Sequence, residues 1–320
     1  MAGGTTKETV LLIGARGYLG SQVLDAVLSK GKYDVQALIR EGSNASKIEA
    51  KGVTIVRGDM MDKDSLNKAI SDGDVDVVIN TANGYGSGHP EIDVEGANNI
   101  VDAIVEANNK SDKNQVRRYI YCSVLACDKA QTVEHFWNKK LHEDYIRSSG
   151  INFVALRPGA FLDQTPDSDY LGDSVSKNQS FTVSVWDKTV PIGMIYTKDL
   201  AEYFAKAIEI DAKDDESKYL SIDLGWTKPV TYEEVISIMN NKLNRNISCY
   251  ALPNWFRLTL IYTVGSFSNF WKEMFQMFTW FGQGDYVNTV ELQTKYLGGN
   301  PPTPEDAIGR WLDEKILTKK

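Results

Sequence analysis

A chain of 320 residues with 42% hydrophobic side chains can bury a substantial core, as one large α/β domain or as two smaller ones. Its net charge of −8 argues against a general nucleic-acid binder, which needs a basic face to attract phosphates. Cys122, Cys127 and Cys249 are odd in number and lack metal-ligand spacing, so neither a disulfide framework nor a metal site is expected. The opening residues carry no apolar run of a secretory signal, and the longest apolar-looking segment, 258–264, is too short for a membrane span of roughly 20 residues. The expectation is a cytoplasmic protein with no transmembrane segment.

Apolar runs at 10–13, 35–39, 53–56, 75–79, 119–122 and 153–156 read as strands. Amphipathic stretches at 18–30, 63–71, 92–107 and 134–149 separate them and read as helices. Strands that are apolar throughout, alternating with helices, predict a parallel sheet covered on both faces and hence a doubly wound α/β fold. After about Pro158 the rhythm changes. A loop rich in Asp, Ser and Gly (163–180) precedes short strands at 181–185 and 190–195, a helix at 199–210 and a strand at 219–222. Thr231-Tyr-Glu-Glu234 has the form of a capping box, and Thr303-Pro304 places a proline at a first helical position. The division expected is a Rossmann-type dinucleotide-binding core over 7–160, completed by about 190–225. A small, mostly helical C-terminal lobe, from 161–189 and 226–320, forms a substrate cap.

The sharpest motif is Gly14-Ala15-Arg16-Gly17-Tyr18-Leu19-Gly20, between the first strand and the first helix. Glycines allow the tight turn and the close approach of backbone to a pyrophosphate seated at the helix N-terminus. Cofactor choice is read at the end of the second strand, where an acidic residue would bind the ribose 2′-hydroxyl of NAD. Arg40 stands there instead. With Arg16 it can clamp a 2′-phosphate by charge-assisted hydrogen bonds, so the cofactor expected is NADP(H). Glu41 opposes this and Lys47 offsets it. Asp59 after the third strand can face the adenine amino group, with Met60 beside the ring. Thr81, Ala82 and Asn83 end the fourth strand, where backbone would pass the ribose. A simple strand-end turn is the alternative at each.

These motifs resemble the short-chain dehydrogenase/reductase superfamily. His135-Phe136-x-x-Lys139, Glu143-Asp144-Tyr145 and Leu156-Arg157-Pro158-Gly159-Ala160-Phe161 narrow the resemblance to its NmrA-like branch, atypical reductases related to isoflavone reductases. Met277-Phe278, Gly284-Asp285-Tyr286, Gly299-Asn-Pro301-Pro302-Thr303 and Trp311-Leu312 extend it to nearly the whole chain. The resemblance implies a Rossmann core with a helical lobe and a small apolar substrate between them. It places Pro158 with the cofactor residues and Ser123 with the catalytic ones. Ordinary members use a Tyr-x-x-x-Lys pair for proton transfer. No tyrosine here has a lysine four residues later; His135 occupies the tyrosine slot ahead of Lys139.

Lys139 is therefore expected to hold the nicotinamide ribose or stabilise an oxyanion, and His135 to donate a proton. Phe267, Phe270, Trp271, Phe275 and Phe278 follow helical spacing and are expected mostly to be buried. They can instead form a lid over a flat apolar substrate, or a patch for a protein partner or a membrane surface, the last ranking lowest. Two functions remain. One is an NADPH-dependent oxidoreductase transferring hydride to a small apolar carbonyl, quinone or enone. The other is a non-catalytic NADP(H)-sensing protein with a regulatory protein partner.

Overall fold

A computed structural model describes residues 7–85, 89–110, 115–163, 179–184, 187–213, 215–263 and 267–317. Most of the loop expected at 163–180, and Val185, lie outside the described residues. The strands are, in chain order, β1 (Glu8–Ile13), β2 (Tyr33–Ile39), β3 (Thr54–Arg57), β4 (Val77–Asn80), β5 (Arg118–Cys122), β6 (Phe153–Pro158), β7 (Ala160–Phe161), β8 (Phe181–Ser184), β9 (Met194–Ile195), β10 (Tyr219–Leu224) and β11 (Ser248–Ala251). Helices α1 (Tyr18–Ser29), α2 (Ser46–Glu49), α3 (Lys63–Ser71), α4 (Ala97–Lys110) and α5 (Glu134–Ser149) alternate with the first six strands.

The main sheet has seven strands in the order β10-β6-β5-β4-β1-β2-β3. From β3 through β6 every neighbouring pair is parallel. The chain works outward from β1 to β3, then returns to β1's other side with β4. That reversal is the topological switch point of a Rossmann-type fold, where crevices for ligands open beyond the strand C-termini. Val10, Leu11 and Leu12 of β1 and Val77, Val78 and Ile79 of β4 are fully buried, as unbroken apolar runs require in a sheet covered on both faces.

The chain divides into two compact units. The first comprises Met1–Ser123, Asn138–Leu156 and Leu200–Ile222; the second comprises Val124–Trp137, Arg157–Asp199 and Asp223–Lys320. The first unit's core joins Leu11, Ile13, Val78 and Tyr121 of the sheet to Leu66 and Ile70 of α3 and Ile100 and Ile104 of α4. The second unit buries its own aromatic core, including Phe136, Trp226, Phe278, Trp280, Phe281 and Trp311.

Both helix starts read in the second half are present. Thr231 Oγ1 accepts the Glu234 N–H at 3.1 Å, and the Glu234 carboxylate accepts the Thr231 N–H at 2.8 Å, the reciprocal pair of a capping box. The last helix opens at Pro304, with Thr303 Oγ1 accepting from Asp306 N–H at 3.1 Å. The strand expected at 190–195 shrinks to β9 and an isolated bridge between Ile192 and Val230. Pro191 has no N–H to offer a ladder, and the Gly193 N–H donates to Tyr286 O at 2.7 Å instead.

A second difference concerns the aromatic region. Phe278 is buried, but Phe267, Phe270 and Trp271 are exposed, against the expectation that most of this stripe is core. Only the C-terminal half of helix Asn269–Phe281 reaches the apolar core of its unit, so helical spacing alone overestimates burial there.

Candidate functional site

The glycine loop lies where β1 and β4 end side by side, and Thr81 N–H donates to Ile13 O at 3.0 Å. Gly14 takes φ +91°, and a Cβ there would come within 2.6 Å of Thr81 Oγ1 and 2.8 Å of Ala82 N. A Cβ on Gly20 would stand 2.0 Å from Gly14 O. These two glycines let α1 begin directly against the strand ends. Gly17 is the N-cap residue of α1, no side chain caps the helix, and no acidic residue sits in its first turn. Its positive end is thus left open to an anion. Tyr18 is half-buried at this turn, and Leu19 is buried in the unit's interior.

Arg16, within the loop, and Arg40, just after β2, are both exposed, and neither forms an ion pair among the described residues. The turn after β2 is held by Arg57, the last residue of β3, which lies in register with Ile39. Its guanidinium donates to Arg40 O at 3.2 Å and Ser43 O at 2.9 Å. Sequence reasoning passed over Arg57; the available signal was a cation at the end of a strand adjoining β2.

Asp59 is fixed by its own turn: its N–H donates to Ser65 Oγ at 3.0 Å and its carboxylate accepts Met61 N–H at 3.0 Å. Met60 is buried, with its side chain against Gly96. At the end of β4, Thr81 Oγ1 donates to Ile13 O at 3.0 Å, Ala82 N–H to Asn80 Oδ1 at 2.9 Å, and Asn83 Oδ1 accepts Tyr85 N–H at 2.8 Å. Pro158 belongs to the second unit, where its carbonyl accepts the Leu125 N–H at 3.0 Å.

Beside the strand ends of the first unit lies a buried polar network. Lys139 Nζ donates to Asp93 Oδ1 at 2.6 Å, with 7% and 3% of the two side chains exposed. Asp93 sits on a π-helical turn, Ile92–Gly96, that leads into α4. Its other oxygen accepts the N–H groups of Gly84 and Tyr85, at 3.0 and 3.2 Å. One carboxylate therefore ties the catalytic-lysine candidate to the loop after β4. Lys139 Nζ also stands 5.1 Å from the Tyr121 ring centroid, over a face that favours a cation. Ser123 Oγ donates to Glu143 at 2.5 Å, and Ser221 Oγ donates to the other Glu143 oxygen at 2.8 Å. Asp93 and Glu143 were not assigned roles from sequence; neither belongs to a motif that marks its side chain as buried.

His142 completes the network. Its Nδ1 lies 2.7 Å from Asn98 Oδ1 and its Nε2 lies 3.3 Å from Tyr119 Oη, which also accepts from Asn80 Nδ2 at 3.1 Å. Burial, and secondarily the charge of Lys139, push the His142 imidazole down to about 3. Burial likewise pushes the Cys122 thiol up to about 11, away from reactivity. The His142 shift has a signed consequence. Between about pH 6.5 and 3 the unfolded chain binds a proton that the folded chain refuses. The stability from neutral His142 is therefore complete above its ordinary pKa and is lost as pH falls, at up to about 1.4 kcal/mol per unit. Urea unfolding between pH 7 and 4.5 is expected to show a steeper loss in the wild type than in His142→Gln. Equal slopes would contradict the assignment.

His135 occupies a different setting, in the second unit. Its Nδ1 and its backbone N–H both meet Glu273 Oε1, at 2.7 and 2.5 Å. Burial pushes the Glu273 carboxyl up, but the two bonds from His135 outweigh it and hold the carboxyl below its ordinary range. Glu273, far along the sequence, was not anticipated as the partner that orients this ring.

The chain is similar to known proteins in sequence and in fold. A model of the NmrA-like family matches residues 6–297. The chain is 37% identical over 272 residues to a phenylcoumaran benzylic ether reductase of Pyrus communis, covering 78% of this chain and 79% of that protein. It is 25% identical over 206 residues to photosystem II assembly factor Ycf39 of Synechocystis, covering 63% of this chain but only 59% of that relative. Among solved structures, the NADPH-dependent quinone oxidoreductase of Escherichia coli complexed with NADPH superposes with a TM-score of 0.73 at 16% identity. That match covers 94% of this chain and 99% of the other, and shows a shared fold.

Proposed function

The chain belongs to the NmrA-like family, and on that premise we propose that it is an NADPH-dependent oxidoreductase acting on a small apolar carbonyl, quinone or enone. The observation that carries this reading is the pair of exposed arginines, Arg16 in the glycine loop and Arg40 just after β2, together with a helix N-terminus that no side chain caps. Gly14, Gly17 and Gly20 would let backbone approach the pyrophosphate, with the first turn of α1 at Tyr18 and Leu19. Arg16 and Arg40 would take the 2′-phosphate. Asp59 and Met60 would face the adenine, and Thr81, Ala82 and Asn83 the ribose. The bound cofactor supplies a hydride.

Lys139 does the protein's part of the work. Asp93 takes one of its donors, and the remaining donors can hold ribose hydroxyls or an oxygen gaining negative charge. Ser123, oriented by Glu143, adds a hydroxyl from the strand end. The proton would come from His135, whose ring Glu273 orients, or from water.

A second reading, an NADP(H)-responsive regulatory protein, draws on the missing Tyr-x-x-x-Lys pair and on the assembly factors among the relatives. NADPH oxidation against quinones, enones and aldehydes separates the two. Turnover by the wild type, reduced about 100-fold or more in Lys139→Ala, is expected of the enzyme. Tight NADPH binding without turnover on any class would establish the regulatory reading instead. In direct titration, Arg40→Ala is expected to weaken NADPH about tenfold or more and to leave NADH unchanged. An unaltered NADPH affinity would remove the cofactor assignment.

A further inference from the structure

We propose that Arg57 is a positioning residue for the 2′-phosphate of the dinucleotide, acting through the turn that presents Arg40. The proposal rests on the NADPH reading above and adds to it a residue that need not touch the cofactor.

In the parallel pairing of β2 with β3, Ile39 lies in register with Arg57, and the Gly58 N–H donates to Ile39 O at 3.2 Å. The next carbonyl along, Arg40 O, lies past the paired strands. It accepts instead from the Ser43 N–H at 3.1 Å, which closes the turn, and from the Arg57 guanidinium at 3.2 Å. The same guanidinium nitrogen, Nη1, donates to Ser43 O at 2.9 Å. Nη1 carries two N–H groups, so one goes to each end of the turn. The side chain thus does for residues 40–43 what a further length of strand would do, giving both carbonyls fixed partners.

Three observations connect this clamp to the phosphate. The first is that no carboxylate draws the guanidinium away. Among the described residues Arg57 forms no ion pair, so its Nη1 donors stay with the turn. The second is that the far end of the segment is already anchored. Ala45 and Ile48 are buried, and the Ser46 N–H donates to Asn44 Oδ1 at 2.9 Å, which starts α2. The freedom left to the backbone of Arg40 is therefore that of the turn itself.

The third is charge. Arg40 is followed directly by Glu41; both side chains are exposed, and the two form no ion pair among the described residues. A turn released from Arg57 can bring the Glu41 carboxylate against the Arg40 guanidinium and cancel the charge that a phosphate needs. Apparent affinity falls with the fraction of time the chain spends in the competent arrangement, so holding the turn raises affinity without a new contact. Bonds made by an exposed guanidinium contribute little to global stability. The effect of Arg57 is accordingly on discrimination between ligands, not on unfolding.

The test titrates the full chain with NADPH and with NADH, which differ only in the 2′-phosphate. Arg57→Ala is expected to weaken NADPH by about three- to tenfold and NADH by less than about twofold, with unchanged urea unfolding. In an Arg40→Ala background the same change is expected to cost NADPH less than about twofold more, because the arginine it positions is gone. Amide exchange followed by NMR in the ligand-free chain reads the clamp directly. The Ser43 N–H is expected to exchange at least about fivefold faster in Arg57→Ala. An unchanged NADPH affinity in Arg57→Ala, or equal losses for NADPH and NADH, overturns the proposal. So do losses that multiply in the double variant, which would make Arg57 a direct phosphate ligand, and a Ser43 exchange rate that stays the same. A wild type that binds NADH as tightly as NADPH would remove the cofactor reading itself, and this proposal with it.

Discussion

Gly20→Ala is expected to abolish dinucleotide binding. The added methyl would stand 2.0 Å from Gly14 O, 2.7 Å from Gly14 C and 2.8 Å from Thr81 Oγ1. Two of those three atoms are backbone, so no flexible side chain can swing away to make room. Either α1 withdraws from the end of β1 or the Gly14 turn opens. Each destroys the close approach on which a pyrophosphate site depends. Overpacking of this kind costs about 1–3 kcal/mol or more in stability, and affinity for NADPH should fall by about 100-fold or more as the backbone donors lose their alignment. Gly42→Ala is the control: unlike Gly20, Gly42 has a positive φ, +70°, but nothing lies within 4 Å of the new methyl, so the change costs only backbone strain. Fluorescence titration with NADPH and urea unfolding on both variants check this. Affinity for NADPH within threefold of wild type in Gly20→Ala would place the dinucleotide elsewhere.

The second large effect is expected at the buried ion pair. Asp93→Ala leaves Lys139, 7% exposed, without its carboxylate, and also removes the bonds that Asp93 accepts from the Gly84 and Tyr85 N–H groups. Removing one partner of a buried pair costs about 3–5 kcal/mol, because the remaining charge has lost both water and its counter-ion. Removing both is milder. The double variant Asp93→Ala, Lys139→Met should therefore be more stable than Asp93→Ala alone, since an apolar side chain then fills the lysine's place. It should remain below wild type, because the carboxylate that accepted the Gly84 and Tyr85 N–H groups is still missing. Urea unfolding of the two single variants and the double gives the coupling directly. A loss below about 1 kcal/mol in Asp93→Ala, or additive effects, would mean that Lys139 is not held in the way the geometry implies.

Much of the fold and of the candidate site was readable along the chain because the signals are local. A glycine needed for a turn, a cation replacing an acid at the end of β2, and Thr231 three residues before Glu234 each express chemistry over a few residues. The surroundings of the candidate catalytic residues were only half readable. Lys139 and Ser123 were singled out, but the carboxylates that hold them, Asp93 and Glu143, were not. Asp93 lies in an apolar-patterned stretch that reads as the start of an ordinary helix, and the π-turn that carries it leaves no distinct periodicity. Glu273 is 138 residues from His135, beyond any motif. The aromatic stripe misled for the opposite reason: spacing shows which residues share a helix face, not whether anything covers that face.

The amino-acid sequence by itself determined that β1 leads through glycines into a helix N-terminus and that an arginine, Arg40, not an acid, follows β2. It also determined that no tyrosine precedes Lys139 at catalytic spacing. Those are properties of neighbours in the chain, dictated by backbone sterics and by the charge of single side chains. Only the tertiary structure decided that Lys139 is paired with Asp93, that His142 is held neutral, and that Trp255, Tyr262 and Phe267 face water. Burial and ion pairing depend on segments distant in sequence arriving at the same place, and a polar residue's worth is set by what surrounds it there.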